Sequence, residues 1–118
     1  MSAPLKGLKV LDFSTLLPGP FATLYLADLG AEVVHIESPT RPDLVRLMPP
    51  YAHGQAVAHS YLNRNKQSIA LDLKDPNSIA LLHQKILEVD IVVEQFRPGV
   101  MQRLGLDYAT LSEINPKL

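Results

Sequence analysis

The sequence predicts an α/β fold built on a parallel sheet with flanking helices. Short apolar runs of strand character alternate with helical segments, the pattern that gives crossover connections. The opening Leu8 to Glu37 is one β–loop–α–β unit of about 30 residues. The chain of 118 residues is 47% hydrophobic and 19% charged, enough apolar material for one packed domain over 1–118 and too much for a disordered chain.

Leu8-Lys9-Val10-Leu11-Asp12-Phe13 is an apolar run suited to a buried strand. Ser14 to Gly19 form a loop, and Pro20 stands where a helix starts, because a first-turn residue needs no N–H. Phe21 to Leu29 is apolar almost all round, which predicts a helix buried on more than one side, with Gly30 ending it. Glu32 to Glu37 is a second strand. Ser38 to Ser60 carries Pro39, Pro42, Pro49, Pro50 and Gly54 and reads as a long loop with one helical turn near Asp43 to Leu47. Order resumes at Tyr61 to Lys66, and Ser68 to Leu73 is a third strand. Asp75 caps a helix with Pro76 at its first position, whose core face is Ile79, Leu82, Ile86 and Leu87. Asp90 to Glu94 is a fourth strand. Phe96 to Gly99 turn, and Val100–Leu104 and Tyr108–Ile114 are short helices.

Several function classes are excluded or weakened at once. No run approaches the roughly 20 apolar residues of a membrane span, and Met1 to Gly7 has no signal-peptide pattern. With no cysteine there is no disulfide or thiolate metal site, which fits a reducing, cytoplasmic setting. A net charge of −1 argues against a nucleic-acid partner. His35, His53, His59 and His83 lack ligand spacing with each other or with an acid, so no metal site is expected.

A β–α–β opening suggests a nucleotide bound beyond the strand ends. The first turn, Leu17-Pro18-Gly19-Pro20-Phe21, has one glycine where a dinucleotide fingerprint has three, and its prolines lack amides. Glu37 lies where a ribose-binding acid would stand. Arg64, Lys66, Lys74, Arg97 and Arg103 all lie beside strand ends or helix starts, a rim suited to a phosphate-rich ligand.

Several blocks carry a resemblance. Pro4-Leu5-Lys6-Gly7-Leu8-Lys9-Val10-Leu11-Asp12-Phe13-Ser14, Pro18-Gly19-Pro20-Phe21-Ala22 and Leu26-Ala27-Asp28-Leu29-Gly30-Ala31-Glu32-Val33 come first. Leu62 to Ile69, Leu71-Asp72-Leu73-Lys74, Phe96-Arg97-Pro98-Gly99-Val100-Met101, Arg103-Leu104-Gly105 and Asn115-Pro116 follow. Together the sequence resembles the class III CoA-transferases, the family of formyl-CoA transferase, carnitine CoA-transferase and α-methylacyl-CoA racemase. The resemblance implies a Rossmann-like large domain, of which this chain is the N-terminal, CoA-binding part. It implies CoA or an acyl-CoA thioester as substrate, no tightly bound cofactor, and an interlocked homodimer of the full-length form. Leu16 and Leu17 would flank the adenosine and pantetheine path. Leu71 and Lys74 would stand at the nucleotide end, with Lys74 available for phosphate. Gln95, Phe96, Arg97, Arg103 and Leu104 match the next binding segment.

The resemblance also implies where the chemistry is not. The transferases use an aspartate nucleophile and the racemase a histidine and aspartate pair, in both cases downstream of the Asn-Pro block. None of Asp12, Asp28, Asp72, Asp75 or Asp90 matches the catalytic aspartate, so no catalytic residue is assigned. The stretches Leu16 to Phe21 and Glu94 to Gly99 lean towards the racemase branch. The readings are then a CoA-transferase or racemase part, a stand-alone CoA or nucleotide module, or an inactive remnant.

Overall fold

A computed structural model describes residues 3–118; Met1 and Ser2, part of the stretch inspected for a signal, lie outside the described residues. Four parallel strands form the sheet: β1 (Lys9–Asp12), β2 (Glu32–Glu37), β5 (Gln67–Ala70) and β6 (Ile91–Val93), in the order β5-β2-β1-β6. Val10 pairs with Val33 and with Ile91, and Ile36 pairs with Ile69. Alternation of side chains along a strand sends successive residues to opposite faces. Val10 and Val33 pack on one face with Ala27 and Ala31, while Leu11, Val34 and Ile36 pack on the other with Leu82, Ile86, Met101 and Leu111. The first cluster lies under α1 (Pro18–Asp28). The second is closed by α3 (Pro76–Lys85), α4 (Val100–Leu104) and α5 (Tyr108–Ile114).

Helix α1 starts two residues before the expected proline, and Gly30 follows it at φ +104°, a left-handed backbone that glycine adopts without strain. Burial on more than one side is not found. Pro20, Thr23, Leu24 and Ala27 are buried, but Phe21 and Tyr25 stand exposed with their rings edge to face at 5.0 Å.

The proline-rich stretch holds more structure than one helical turn. A 3₁₀ turn at Leu44–Leu47 is capped by Asp43, whose carboxylate accepts from the Val45 amide at 3.1 Å. A two-residue antiparallel pair follows, β3 (Tyr51–Ala52) with β4 (Gln55–Ala56), and then α2 (Val57–Leu62). His53 and Gly54 turn this hairpin, both at positive φ, as a tight hairpin turn requires. Strands of two residues carry no alternation to read, and a His-Gly turn lacks the usual Asn or Asp signal.

Asp75 caps α3 as expected, accepting from the Asn77 amide at 2.9 Å. Ile79, Leu82 and Ile86 face the core, but Leu87 does not and is 63% exposed. The helix tightens to 3₁₀ over Ile86–Glu88, and that change of winding turns Leu87 outward. Among the described residues no helix is long and apolar enough to cross a membrane.

Candidate functional site

In an open parallel sheet, the strand order reverses between neighbours at a crevice that commonly takes a ligand. Here that crevice lies between β1 and β6, and a side chain closes it. Gln95, just after β6, donates through Nε2 to the Thr15 carbonyl at 2.6 Å and accepts at Oε1 from the Gly19 amide at 3.1 Å. Pro18 and Pro20 have no amide to offer. The first-turn amide that would cradle a phosphate is therefore already bonded, and a Cβ at position 19 would overlap Ser14 and meet Gln95.

The open space lies on the other side of β1. A cavity of about 640 Å³ sits beyond the carboxyl ends of β1, β2 and β5. Phe13, Ile36, Leu71, Leu73 and Phe96 give it an apolar lining, and Arg41 and Lys74 stand in its wall.

The loop after β1 is fixed from beneath by a sealed polar group. Asp12 is fully buried and accepts from the Ser14 amide at 2.8 Å and from the Ser14 and Thr23 hydroxyls. Lys66 lies 3.8 Å from it and donates to the Pro20 carbonyl at 2.9 Å. Burial lowers the Lys66 pKa below its ordinary value, with Asp12 opposing that shift. His35, on β2, reaches the Ser14 carbonyl with Nε2 at 2.8 Å.

Two walls of the cavity are built by acids that bind within the protein. Asp43 is buried and accepts from the Leu16 amide at 3.1 and 3.2 Å, holding Leu16 at φ +63°. That conformation is uncommon for a residue with a Cβ and is held here by a specific bond. Glu37, closing β2, takes both arms of the Arg46 fork at 3.0 and 2.8 Å and the Ser68 hydroxyl. Burial raises its pKa, but the Arg46 and Ser68 bonds outweigh burial and hold it at about 2.

The expected site residues divide by place. Leu16, Leu71, Lys74, Phe96 and Leu104 line the cavity. Arg103 stands with Lys74, Leu104 and His83 around a shallower neighbouring groove. Gln95 lies behind the wall as the bridge described above, and Leu17 and Arg97 lie outside the cavity lining. Of the cationic rim, Arg64 is paired with Asp28 at 2.7 Å and Lys66 is sealed inside, so neither stands open to a ligand. Sequence reasoning missed Asp43 and Thr15 as wall residues. Asp43 had a visible signal, an acid ahead of an apolar turn, the usual pattern of a cap. Among the described residues no group of three His, Cys, Asp or Glu side chains could hold a metal ion.

Comparison with known proteins gives a consistent result. The sequence model described as CoA-transferase family III matches residues 5–118. An acetyl-CoA:oxalate CoA-transferase of Acetobacter aceti is 44% identical over 98% of the chain, which spans 30% of that protein. A succinyl-CoA:glutarate CoA-transferase of Homo sapiens is 40% identical over 98% of the chain, which spans 26% of it. The crystal structure of a CAIB/BAIF family protein from Brucella suis superimposes with a TM-score of 0.92 at 36% identity, covering 100% of this chain and 32% of that one. The chain thus spans less than a third of the length of these relatives.

Proposed function

The chain belongs to CoA-transferase family III, and from that membership we propose that residues 1–118 form its N-terminal CoA-binding part, serving an acyl-CoA:carboxylate CoA-transferase. The observation that carries this reading is the apolar cavity beyond β1, β2 and β5 with Lys74 in its wall. An adenine ring needs a flat apolar slot, and the phosphates of CoA need cations beside it. Leu16, Leu71 and Phe96 supply apolar surface, Lys74 supplies charge, and Arg103 with Leu104 extends the same surface into the next groove. Leu17 and Arg97 lie outside the lining; by the resemblance Leu17 flanks the adenosine and pantetheine path and Arg97 belongs to the next binding segment. Gln95 holds the loop that carries Leu16.

The Acetobacter aceti and Homo sapiens relatives are CoA-transferases by name, which favours transfer over the racemase lean of Leu16 to Phe21 and Glu94 to Gly99. The family resemblance implies that transfer uses an aspartate nucleophile at the thioester. Each carboxylate lining the cavity is engaged: Glu37 by Arg46, Asp43 by Leu16 and Val45, and Asp72 by the Lys74 amide. On this reading the chain binds and orients CoA, a substrate and no resident cofactor, and the reacting carboxylate stands outside these residues. The cysteine-free composition fits a reducing, cytoplasmic compartment. The exposed Phe21 and Tyr25 of α1 fit a face that further protein covers in an interlocked homodimer.

Calorimetry with CoA tests the proposal. Saturable binding by the folded chain, lost with free pantetheine, is the expected result. A folded chain that binds no CoA overturns it. Turnover of acyl-CoA and free carboxylate by these 118 residues alone would overturn the placement of the nucleophile elsewhere.

A further inference from the structure

Among the described residues, one buried side-chain nitrogen or oxygen has no hydrogen-bond partner, the Nε2 of His59. Buried polar atoms are nearly always bonded, so an orphan calls for a reason. His59 lies within α2, which packs against β4, α1 and the 3₁₀ turn at Leu44–Leu47.

The charged groups around the ring are already taken. On the 3₁₀ turn, Arg46 gives both arms of its fork to Glu37 of β2 at 3.0 and 2.8 Å. Asp43, the cap of that turn, accepts from the Leu16 and Val45 amides. His35 of β2 is bonded to the Ser14 carbonyl, and Asp28 of α1 to Arg64 and Asn65. The strand β4 brings only Gln55 and Ala56, which carry no charge. Glu37 and Asp43, the two anions whose fields favour an imidazolium here, thus have their carboxylates engaged elsewhere.

A neutral ring tolerates this setting. With its proton on Nδ1 it leaves Nε2 a bare acceptor, and an unfilled acceptor costs less than an unpaired charge. A second proton has only Nε2 to go to, which seals a charged donor from water with no acceptor before it. Burial lowers the His59 pKa below its ordinary value of 6.5; Arg46 and His35 add to the lowering, and Glu37 and Asp43 oppose it.

A protonated ring reaches water or an acceptor only if α2 moves off the 3₁₀ turn. That turn holds the cavity wall, because Asp43 fixes Leu16 and Arg46 fixes Glu37. We propose that His59 is a proton-operated latch between α2 and the 3₁₀ turn: neutral, it lets the two pack, and on protonation it drives them apart and frees the loop that carries Leu16. The loosened chain takes the proton at the ordinary value and the packed chain only at lower pH. Packing is therefore at full strength above pH 6.5 and weakens as pH falls below it. The latch works whatever ligand the cavity takes.

Hydrogen exchange of the full chain, read amide by amide by NMR and corrected for intrinsic rates, tests it at about pH 7.5 and about pH 5.5. The proteins are the wild type and His59→Phe, whose flat ring fills the same space and takes no proton. One proton taken up at 6.5 sets a ceiling of about tenfold between those conditions. Wild-type protection of the Leu16 and Val45 amides should fall several-fold, within that ceiling, while Leu82 of α3 keeps its protection. In His59→Phe the Leu16 and Val45 amides should hold theirs. Unchanged wild-type protection, a loss shared equally by Leu82, or the same loss in His59→Phe overturns the latch. If circular dichroism shows His59→Phe unfolded, NMR titration of the wild-type ring decides. Titration below 6.5 together with the wild-type loss supports the latch, and titration at or above 6.5 overturns it. No CoA is present in these measurements, so the reading of the cavity as a CoA site stands or falls separately.

Discussion

The Lys66 ammonium lies 3.8 Å from the Asp12 carboxylate with both side chains sealed from water, at 1% and 0% exposure. Asp12 ends β1, Lys66 precedes β5, and the Pro20 carbonyl that Lys66 also holds belongs to the first turn of α1. One ion pair thus ties together three elements that frame the candidate site. Removing one partner strands the other without water or counter-charge. Lys66→Met should lower unfolding free energy by about 3 kcal/mol. Urea denaturation monitored by circular dichroism measures it, and a loss below about 1 kcal/mol would show that the pair anchors nothing.

Asp43 couples the loop after β1 to the stretch after β2. Replacing it with alanine frees the amides of Leu16 and Val45 and releases the left-handed backbone at Leu16. Asp43→Ala should cost about 1–2 kcal/mol and weaken CoA binding several-fold. Asp43→Asn keeps one acceptor oxygen and should fall between. Thermal melts and calorimetry on the same preparations separate the two effects, and unchanged affinity in Asp43→Ala would remove Leu16 from the binding wall.

Gln95 has the reach to meet both Thr15 and Gly19, and asparagine is one methylene shorter. Gln95→Asn should satisfy at most one of them. Faster hydrogen exchange at the Gly19 amide, by about tenfold or more, is the expected signature. The fold should persist, because no core contact is lost.

The Glu37 carboxyl has its pKa lowered from 4.5 to about 2 in the folded chain. A lowered carboxylate contributes stability that is fully present above pH 4.5 and is lost as pH falls towards 2. Unfolding free energy measured across that window should decline, and in Glu37→Gln the decline should be shallower. Equal slopes in the two proteins would show that the Arg46 bond does not carry the shift.

Much of the fold was legible because its signals are local. The valine and isoleucine run of β2, the Asp75-Pro76 start of α3 and the glycine after α1 each announce themselves within a few residues. The hairpin at Tyr51 to Ala56 did not, because two-residue strands have no period. Partners distant in sequence were also hidden. Nothing near Lys66 says that it points inward to Asp12, and nothing near Gln95 says that it fills the crevice beside β1. Those facts depend on the strand order. Among the cavity residues, Leu71, Phe96 and Leu104 came from the family resemblance alone, since single apolar residues at loop ends look the same in any protein, whereas Lys74 also stood out in the cationic rim.

The backbone at Leu16 also limits how this wall can vary. A left-handed φ excludes β-branched side chains at little more than the level of the backbone itself. Valine, isoleucine and threonine are therefore poor replacements at that position, however well their volume would suit a different ligand. Asparagine, aspartate and glycine pass the same filter easily. Drift at position 16 should run towards small polar residues, so a descendant of this site becomes wetter at that wall before it becomes narrower.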